Sequence, residues 1–382
     1  MTARRAILIE LPKDRCDIGH IKRLIALTNL SYRDYEVWVT DMPRTIQNQL
    51  HGFRDFKGSL VLGTAPKRWF AKTWVPLKTL RIYQDGSMKG DKGAPVVLDF
   101  RRSVIRLRQV CKNEPRYVVT IPMPEWVVER MKEGGDIKFA MIGLRDDEPY
   151  LALIAERVVE PYQPSNYMLV VDVNAWNNGI AWGLIKDGFI IKWMPEVPNL
   201  REVDNLYNLS VRLSGEYGKL KRLGLDKTED GKRLRRKIRK LRKRLYTKLR
   251  DYAQKLVHRL VRKALRHRAL VIIDDMIEES RRELIEEKIP RGLRKIYLAE
   301  TRRFVKLLIT QLKWYGVPYE FKRLPSKVCP ICQHELTQLP GRTMACTNCG
   351  FKAPRDKIPI HWAIKSHQEG DGKNNPPPLE RR

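Results

Sequence analysis

The sequence of 382 residues has no stretch of about 18 apolar residues, the length a helix needs to cross a bilayer. Arg4 and Arg5 precede only a short apolar run, Ala6 to Leu11, which Pro12 ends, so no secretory leader is read there. Acid is scarce: 44 Asp and Glu stand against 75 Lys and Arg, leaving a net charge of +31. The seven histidines are scattered, no Walker-type glycine loop occurs, and no Ser/His/Asp constellation is evident. These absences exclude a membrane span, a P-loop phosphate site and a serine-hydrolase triad. Cysteine is sparse too. Cys16 and Cys111 stand alone, while the other four pair at metal-ligand spacing, a usage that fits a reducing compartment better than a disulfide framework. A cytoplasmic protein without a membrane partner is expected.

What remains is a globular chain, 42% hydrophobic, with enough length for two or three domains. Its cationic excess falls in blocks, and a field of that sign points to a polyanion, in cells most commonly nucleic acid. Arg5 to Leu11 reads as a strand. From about Asp17 to Leu50, apolar residues such as Ile21, Leu24 and Ile25 recur at helical spacing. In Lys67 to Trp74 (KRWFAKTW), bases alternate with Trp69, Phe70 and Trp74. Such a segment stacks on unpaired bases, or simply packs half-buried with snorkelling lysines. Short alternating runs then follow: Val96–Phe100, Val104–Val110, Tyr117–Ile121, Lys138–Gly143 and Tyr150–Ala155, interrupted by a helix over Pro124 to Lys132. They predict a small β-barrel or sheet with a helical insert and no catalytic grouping.

Pro161 to Ser165 (PYQPS) marks a boundary. Beyond it, an apolar strand carries Asp172, and Gly179–Lys186 and Phe189–Trp193 form a hairpin about Asp187-Gly188. Lys232 to Arg250 holds twelve basic residues and no acidic one, with Leu234, Ile238, Leu241, Leu245 and Leu249 at helical spacing. The predicted helix continues through Tyr252, Leu256 and Leu260. Its cations Lys232, Arg233, Arg235, Arg236, Lys237, Arg239, Lys240, Arg242, Lys243 and Arg244 would repel one another without a polyanion, so backbone contact with nucleic acid is assigned to them. A solvated helix face is the plainer alternative. Ala269 to Ile273 is a buried-type strand ending in Asp274-Asp275. A long helix from Gly292 to Tyr315 stops at Gly316, Val317 to Leu324 is another strand, and Arg355 to His367 reads as a short helix interrupted early by Pro359. The tail from Glu369 is expected to be disordered.

The order after the boundary is strand, strand, strand, helix, strand, helix, strand, helix. Functional residues of an open α/β sheet gather at the carboxyl ends of its strands, so Asp172 and Asp274 can meet although far apart in the chain. That order is the ribonuclease H-type fold. Asp356 follows just before the last helix. A lone Asp usually caps a helix or pairs with Arg. Three acids brought together repel unless a cation sits between them, and Mg²⁺, hard and oxygen-loving, suits them, with Mn²⁺ an alternative. Metal-assisted phosphodiester hydrolysis is the chemistry such a site serves.

Cys329-Pro-Ile-Cys332 and Cys346-Thr-Asn-Cys349 are paired CxxC arms separated by 346 − 332 − 1 = 13 residues. Four thiolates close one tetrahedral Zn²⁺ site, structural rather than catalytic. His334 lies beside them but has no place in a filled shell.

The segments VVDVNAWNNGIAWGL, VIIDDM, LPSKVCPIC and CTNCGFKAPRD resemble TnpB, also called OrfB, the transposon-encoded RNA-guided nucleases related to type V CRISPR effectors. The resemblance implies a RuvC-like nuclease with a zinc-ribbon insertion, whose metal-binding catalytic acids fall on Asp172, Asp274 and Asp356. It also implies a wedge β-barrel with a helical recognition insert ahead of it. The expected layout is residues 1–165 for the wedge, 166–324 completed by 353–368 for the nuclease, 325–352 for the ribbon and 369–382 for the tail. The implied partners are a guide RNA derived from the transposon end and target double-stranded DNA. In two places the chain departs from the family: Asp274 stands where a glutamate is usual, and Asn174 where a glycine is. Three functions stay open on the sequence: an RNA-guided, Mg²⁺-dependent DNA endonuclease, a nuclease-inactive RNA-guided DNA-binding regulator, and a strand-joining transposase.

Overall fold

The computed structural model describes residues 2–16, 18, 19, 21, 22, 74–77, 80–84, 87–90, 96–108, 118–145, 148–174, 179–275, 285 and 289–368. Nearly all of the helical pattern between Asp17 and Leu50, the basic–aromatic residues 67–73, strand ends 109, 110 and 117, and the tail 369–382 lie outside them. The chain divides into two compact units, Met1–Val158 and Val159–Arg382.

In the first unit, β1 (Thr2–Glu10), β2 (Trp74–Leu77), β3 (Leu80–Gln84), β4 (Ser87–Lys89), β5 (Val96–Asp99), β6 (Val104–Arg108) and β7 (Val118–Pro122) precede a short helix, α1 (Glu125–Lys132). The long strands β8 (Asp136–Arg145) and β9 (Glu148–Val158) close the unit. The described strands hydrogen-bond into two sheets, ordered β1-β9-β8-β2 and β4-β3-β5-β6-β7. Alternation explains β1: Ala3, Ile7 and Ile9 are buried on one face, while Arg4 on the other pairs with Glu156 across the β1–β9 register. Asp99 is buried at the β5–β6 hairpin and spends its carboxylate on Arg106 at 2.8 Å and the Arg102 amide at 3.0 Å. That burial is structural.

The second unit begins earlier than the Pro-rich segment suggested. The hydroxyl of Tyr162 donates to Ala269 O at 2.9 Å, Ser165 Oγ donates to His267 O at 2.7 Å, and Tyr162 N donates to Gly316 O at 3.2 Å. So PYQPS is stapled down rather than free. Gly316 has φ +66°, and a Cβ there would meet Val159 Cγ1 at 2.7 Å, so glycine both ends its helix and admits this segment.

The unit's sheet contains β10 (Tyr167–Val173), β11 (Ile180–Lys186), β12 (Phe189–Glu196), β13 (Leu270–Asp274) and β14 (Tyr319–Lys322). Their order is β12-β11-β10-β13-β14, with β10–β11–β12 antiparallel and β13 and β14 parallel to β10. Between β12 and β13 run two helices where one was expected, α2 (Leu200–Arg222) and α3 (Glu229–His267). The first was hidden because its buried stripe is thin. Val203, Leu206, Ser210 and Leu213 carry it, amid Gly215, Gly218, Asn and Ser. Thr228 caps α3 by accepting from Gly231 N, and 39 residues make it about 58 Å long. Next come α4 (Arg291–Tyr315), the strands β15 (Thr337–Leu339), β16 (Thr343–Ala345) and β17 (Lys352–Pro354), and α5 (Ile358–Gln368). Pro359 does not break α5, because it sits in the first turn, whose amide has no intrahelical partner to lose.

Strand periodicity sorts the sheet into two faces. Leu169, Val171, Val173, Val271 and Ile273 pack under α2, α3 and α4 in the main core. Met168, Val170 and Ile272 pack on the other side with Ile360 and Ala363 of α5. Among the described residues, no helix is long and apolar enough to cross a membrane.

Candidate functional site

Asp172 and Asp274 continue the second set by period two, so both carboxylates stand on the α5 face. Because Val171 is in register with Ile273 on parallel neighbours, the two acids are the next pair along, at the carboxyl ends of adjacent strands. Both are buried, at 2% and 3% exposure. Asp275, one residue on, is exposed and donates its amide to Lys322 O, so Asp274 is the inward acid. Asp356 arrives from above, on the 3-10 turn Arg355–Lys357 that leads into α5.

Burial raises the Asp172 carboxyl from 3.8 to about 7, and the charge of Asp356 adds to it. The Asn174 amide, which donates to Asp172 Oδ2 at 2.7 Å, and the cations Arg355 and Arg342 pull the other way. Asp274 Oδ1 accepts from Leu324 N at 3.1 Å. Asp356 Oδ1 accepts from Arg342 Nη2 at 3.0 Å. Arg342 was not singled out from the sequence. It lies in the loop between the CxxC arms, at φ +58° beside Gly341, and only the folded insertion carries it to the acids. Asp172 thus neighbours Asp274 along the sheet and feels the charge of Asp356, and each of the three carboxylates accepts from a protein donor. Among the described residues, the four cysteines alone have their ligand atoms gathered as one group.

Those four sulfurs lie within 4.8 Å of one another, with Cys329–Cys349 at 3.5 Å and Cys332–Cys346 at 3.3 Å. Sulfurs on a tetrahedral zinc at 2.3 Å would be about 3.8 Å apart, so the set fits that ion. Each arm makes the same knuckle. Gln333 N donates to Cys329 O and Cys329 N to His334 O; Gly350 N donates to Cys346 O and Cys346 N to Phe351 O. Both turns need a left-handed residue, which is Gln333 at φ +63° in one and Gly350 at φ +74° in the other. Bonds from Asn348 and the His334 backbone lower the Cys332 thiol to about 5, while at Cys349 the Phe351 amide is outweighed by burial and the bonds from the other three sulfurs, which raise its thiol to about 12. β15, β16 and β17 form one small sheet around the knuckles.

The ten cations assigned from sequence all lie exposed on the first half of α3. Lys232 reaches Glu229 at 2.8 Å and Arg244 reaches Glu202 at 3.3 Å. Arg233, Lys237 and Lys240 have no ion pair among the described residues. The second half of α3 packs its apolar stripe into the core across the sheet from the acids. The structure therefore does not gather cations and carboxylates into one cluster.

No family model matches this chain. A TnpB-like protein of Methanocaldococcus jannaschii is 24% identical over 263 residues, which is 67% of this chain and 89% of that protein. The chain is similar to that TnpB-like protein. Its fold is mixed α/β. A solved complex of Cas12f1 with sgRNA and target DNA aligns at TM-score 0.47 and 10% identity, covering 91% of this chain and 81% of that one. The mini-RNA-guided endonuclease CRISPR-Cas_phi3 aligns at TM-score 0.39 and 11% identity, covering 69% of this chain and 57% of that one. In this chain, the quoted segments map onto β10–β11, the end of β13, the two knuckles and the turn before α5.

Proposed function

We propose that the protein is an RNA-guided DNA endonuclease of the TnpB type, with a ribonuclease H-like (RuvC) domain over 166–324 and 353–368 and a zinc ribbon over 325–352. One observation carries the reading. Two buried aspartates end adjacent parallel strands, and a third acid lies close enough to raise the proton affinity of the first. A cluster so costly in burial and repulsion is kept where function needs it. Asp172, Asp274 and Asp356 offer only hard oxygen donors and would hold Mg²⁺ or Mn²⁺. That ion supplies activation of water and stabilisation of the leaving oxygen at a phosphodiester. Asn174 orients the Asp172 carboxylate, Leu324 N orients that of Asp274, and Arg342 offsets the charge of Asp356 beside the place of an incoming phosphate. Zn²⁺ in the four-cysteine site fixes the insertion that carries Arg342. The cations of α3, across the sheet, grip sugar-phosphate backbone remote from the cleft, while pairing to a transposon-end guide RNA reads the target duplex.

The test is to purify the protein with its co-expressed RNA and supply target plasmid with Mg²⁺. Guide-dependent cutting that is lost in Asp172→Ala is expected. A variant that cuts as well as wild type places the chemistry elsewhere. The regulator reading is favoured by one observation: Asp274, a methylene shorter than glutamate, already spends Oδ1 on Leu324 N. Tight target binding without cutting, and cutting gained on Asp274→Glu, would establish it.

A further inference from the structure

We propose that Gly183 is a positioning residue for the third acid: the space it leaves sets how deep α5 seats on the sheet, and so where Asp356 stands. The inference rests on the nuclease reading of the site. Gly183 lies mid-strand in β11, in register with Val170. Ala181, two residues before it, is in register with Asp172 itself. On the α5 face, β11 therefore offers two small residues beside the strand that carries the first acid. A Cβ on Gly183 would come within 2.8 Å of both Cδ1 and Cγ2 of Ile360, and within 3.1 Å of its Cγ1. Ile360 is fully buried, and a β-branched side chain in a helix has one strongly preferred χ1. It cannot swing away, so a methyl group at 183 must lift the helix. Asp356 is one turn upstream of Ile360, on the 3-10 turn continuous with α5. Lifting the helix moves that carboxylate away from Asp172 and Asp274, which stay fixed by strand pairing.

The ribbon resists the same lift from the other side. Trp362 Nε1 donates to Val328 O at 2.9 Å, and Ile358 packs among Cys329, Leu336 and Cys346. The helix is thus held between sheet and ribbon, with its depth set by the recess at Gly183. The β11–β12 register shifts just beyond it, between Leu184 and Ile185, but Gly183 itself is paired with both Val170 and Trp193 and has no positive φ, so its own backbone conformation does not demand glycine.

The experiment uses the full chain in four forms: wild type, Gly183→Ala, Ile360→Ala, and the double variant, which removes all three crowded atoms. Two quantities are read: Mn²⁺ binding to the protein alone by calorimetry, and single-turnover cleavage by the guide complex. In Gly183→Ala, Mn²⁺ affinity and cleavage rate are each expected to fall at least about tenfold, the scale of a misplaced ligand, while bound zinc and target affinity stay unchanged. Adding Ile360→Ala is expected to return Mn²⁺ affinity to within about threefold of wild type. Gly183→Ala with wild-type Mn²⁺ affinity overturns the proposal, and so does a double variant no better than the single one. If wild type binds Mn²⁺ but never cuts, the nuclease reading fails, while the Mn²⁺ series still decides the role of Gly183.

Discussion

Asp172→Asn should stabilise the protein when no divalent ion is added, and more so as pH rises. Asp172 is buried beside Asp356, and its carboxyl is raised from 3.8 to about 7. The sign follows from proton counts. Between those values the folded chain keeps a proton that the unfolded chain has released, so stability falls with rising pH and levels off above about 7. At about 1.4 kcal/mol per tenfold change in proton affinity, the raised carboxyl of Asp172 costs the fold roughly 1–2 kcal/mol at pH 5 and on the order of 4 kcal/mol at pH 8. The amide oxygen of the substituted side chain still accepts from Asn174, so little else is lost. Urea unfolding followed by tryptophan fluorescence, with zinc retained, measures the gap between the two proteins at each pH. It should widen by about 2–3 kcal/mol from pH 5 to pH 8, and adding Mg²⁺ should close it by stabilising wild type alone. A gap that stays flat across this range would refute the reasoning, because burial and repulsion at Asp172 would then not be stored in the fold.

Arg233, Lys237 and Lys240 fall at i, i+4 and i+7 on α3 and share its exposed side. Changing all three to Gln should lower the slope of log affinity against log salt by up to about 2.7 on duplex, without altering Mn²⁺ binding. An unchanged slope would make them a solvated face only. Cys329→Ser should take bound zinc from about one ion per chain to none and release the Arg342 contact with Asp356. Metal analysis, with proteolysis between the knuckles as a second readout, checks this; a variant that retains zinc refutes the four-thiolate site.

Much of the second unit was legible because its signals are local. The run around Val170, the Asp-Gly hairpin and the helix stop at Gly316 each report their own conformation. The CxxC arms went further, since their spacing alone placed four sulfurs within one ion's reach. Other features were not legible. α2 has a stripe in which Ser210 takes a core position, so its period is faint. PYQPS has linker composition, but Tyr162 and Ser165 find carbonyl partners a hundred residues away. Arg342 became part of the site only through tertiary placement, and a Gly-Arg turn in a loop carries no such signal. Gly183 is the converse case: a glycine whose reason is a side chain 177 positions later.

On the proposed function, the faces of one sheet would separate holding from cutting. Residues at odd positions in β10 face α3, whose exposed half carries ten cations, and those at even positions face α5 and the acids. Had cations and carboxylates shared a face, Lys and Arg would pair with Asp172 and Asp274 and compete with a divalent ion for the same oxygens. The sheet keeps them apart. Two guanidiniums, Arg342 and Arg355, act on the acids, and Arg342 comes from the loop between the CxxC arms. Loss of zinc should therefore reach the acids through Arg342 and α5, and leave the exposed cations of α3 untouched.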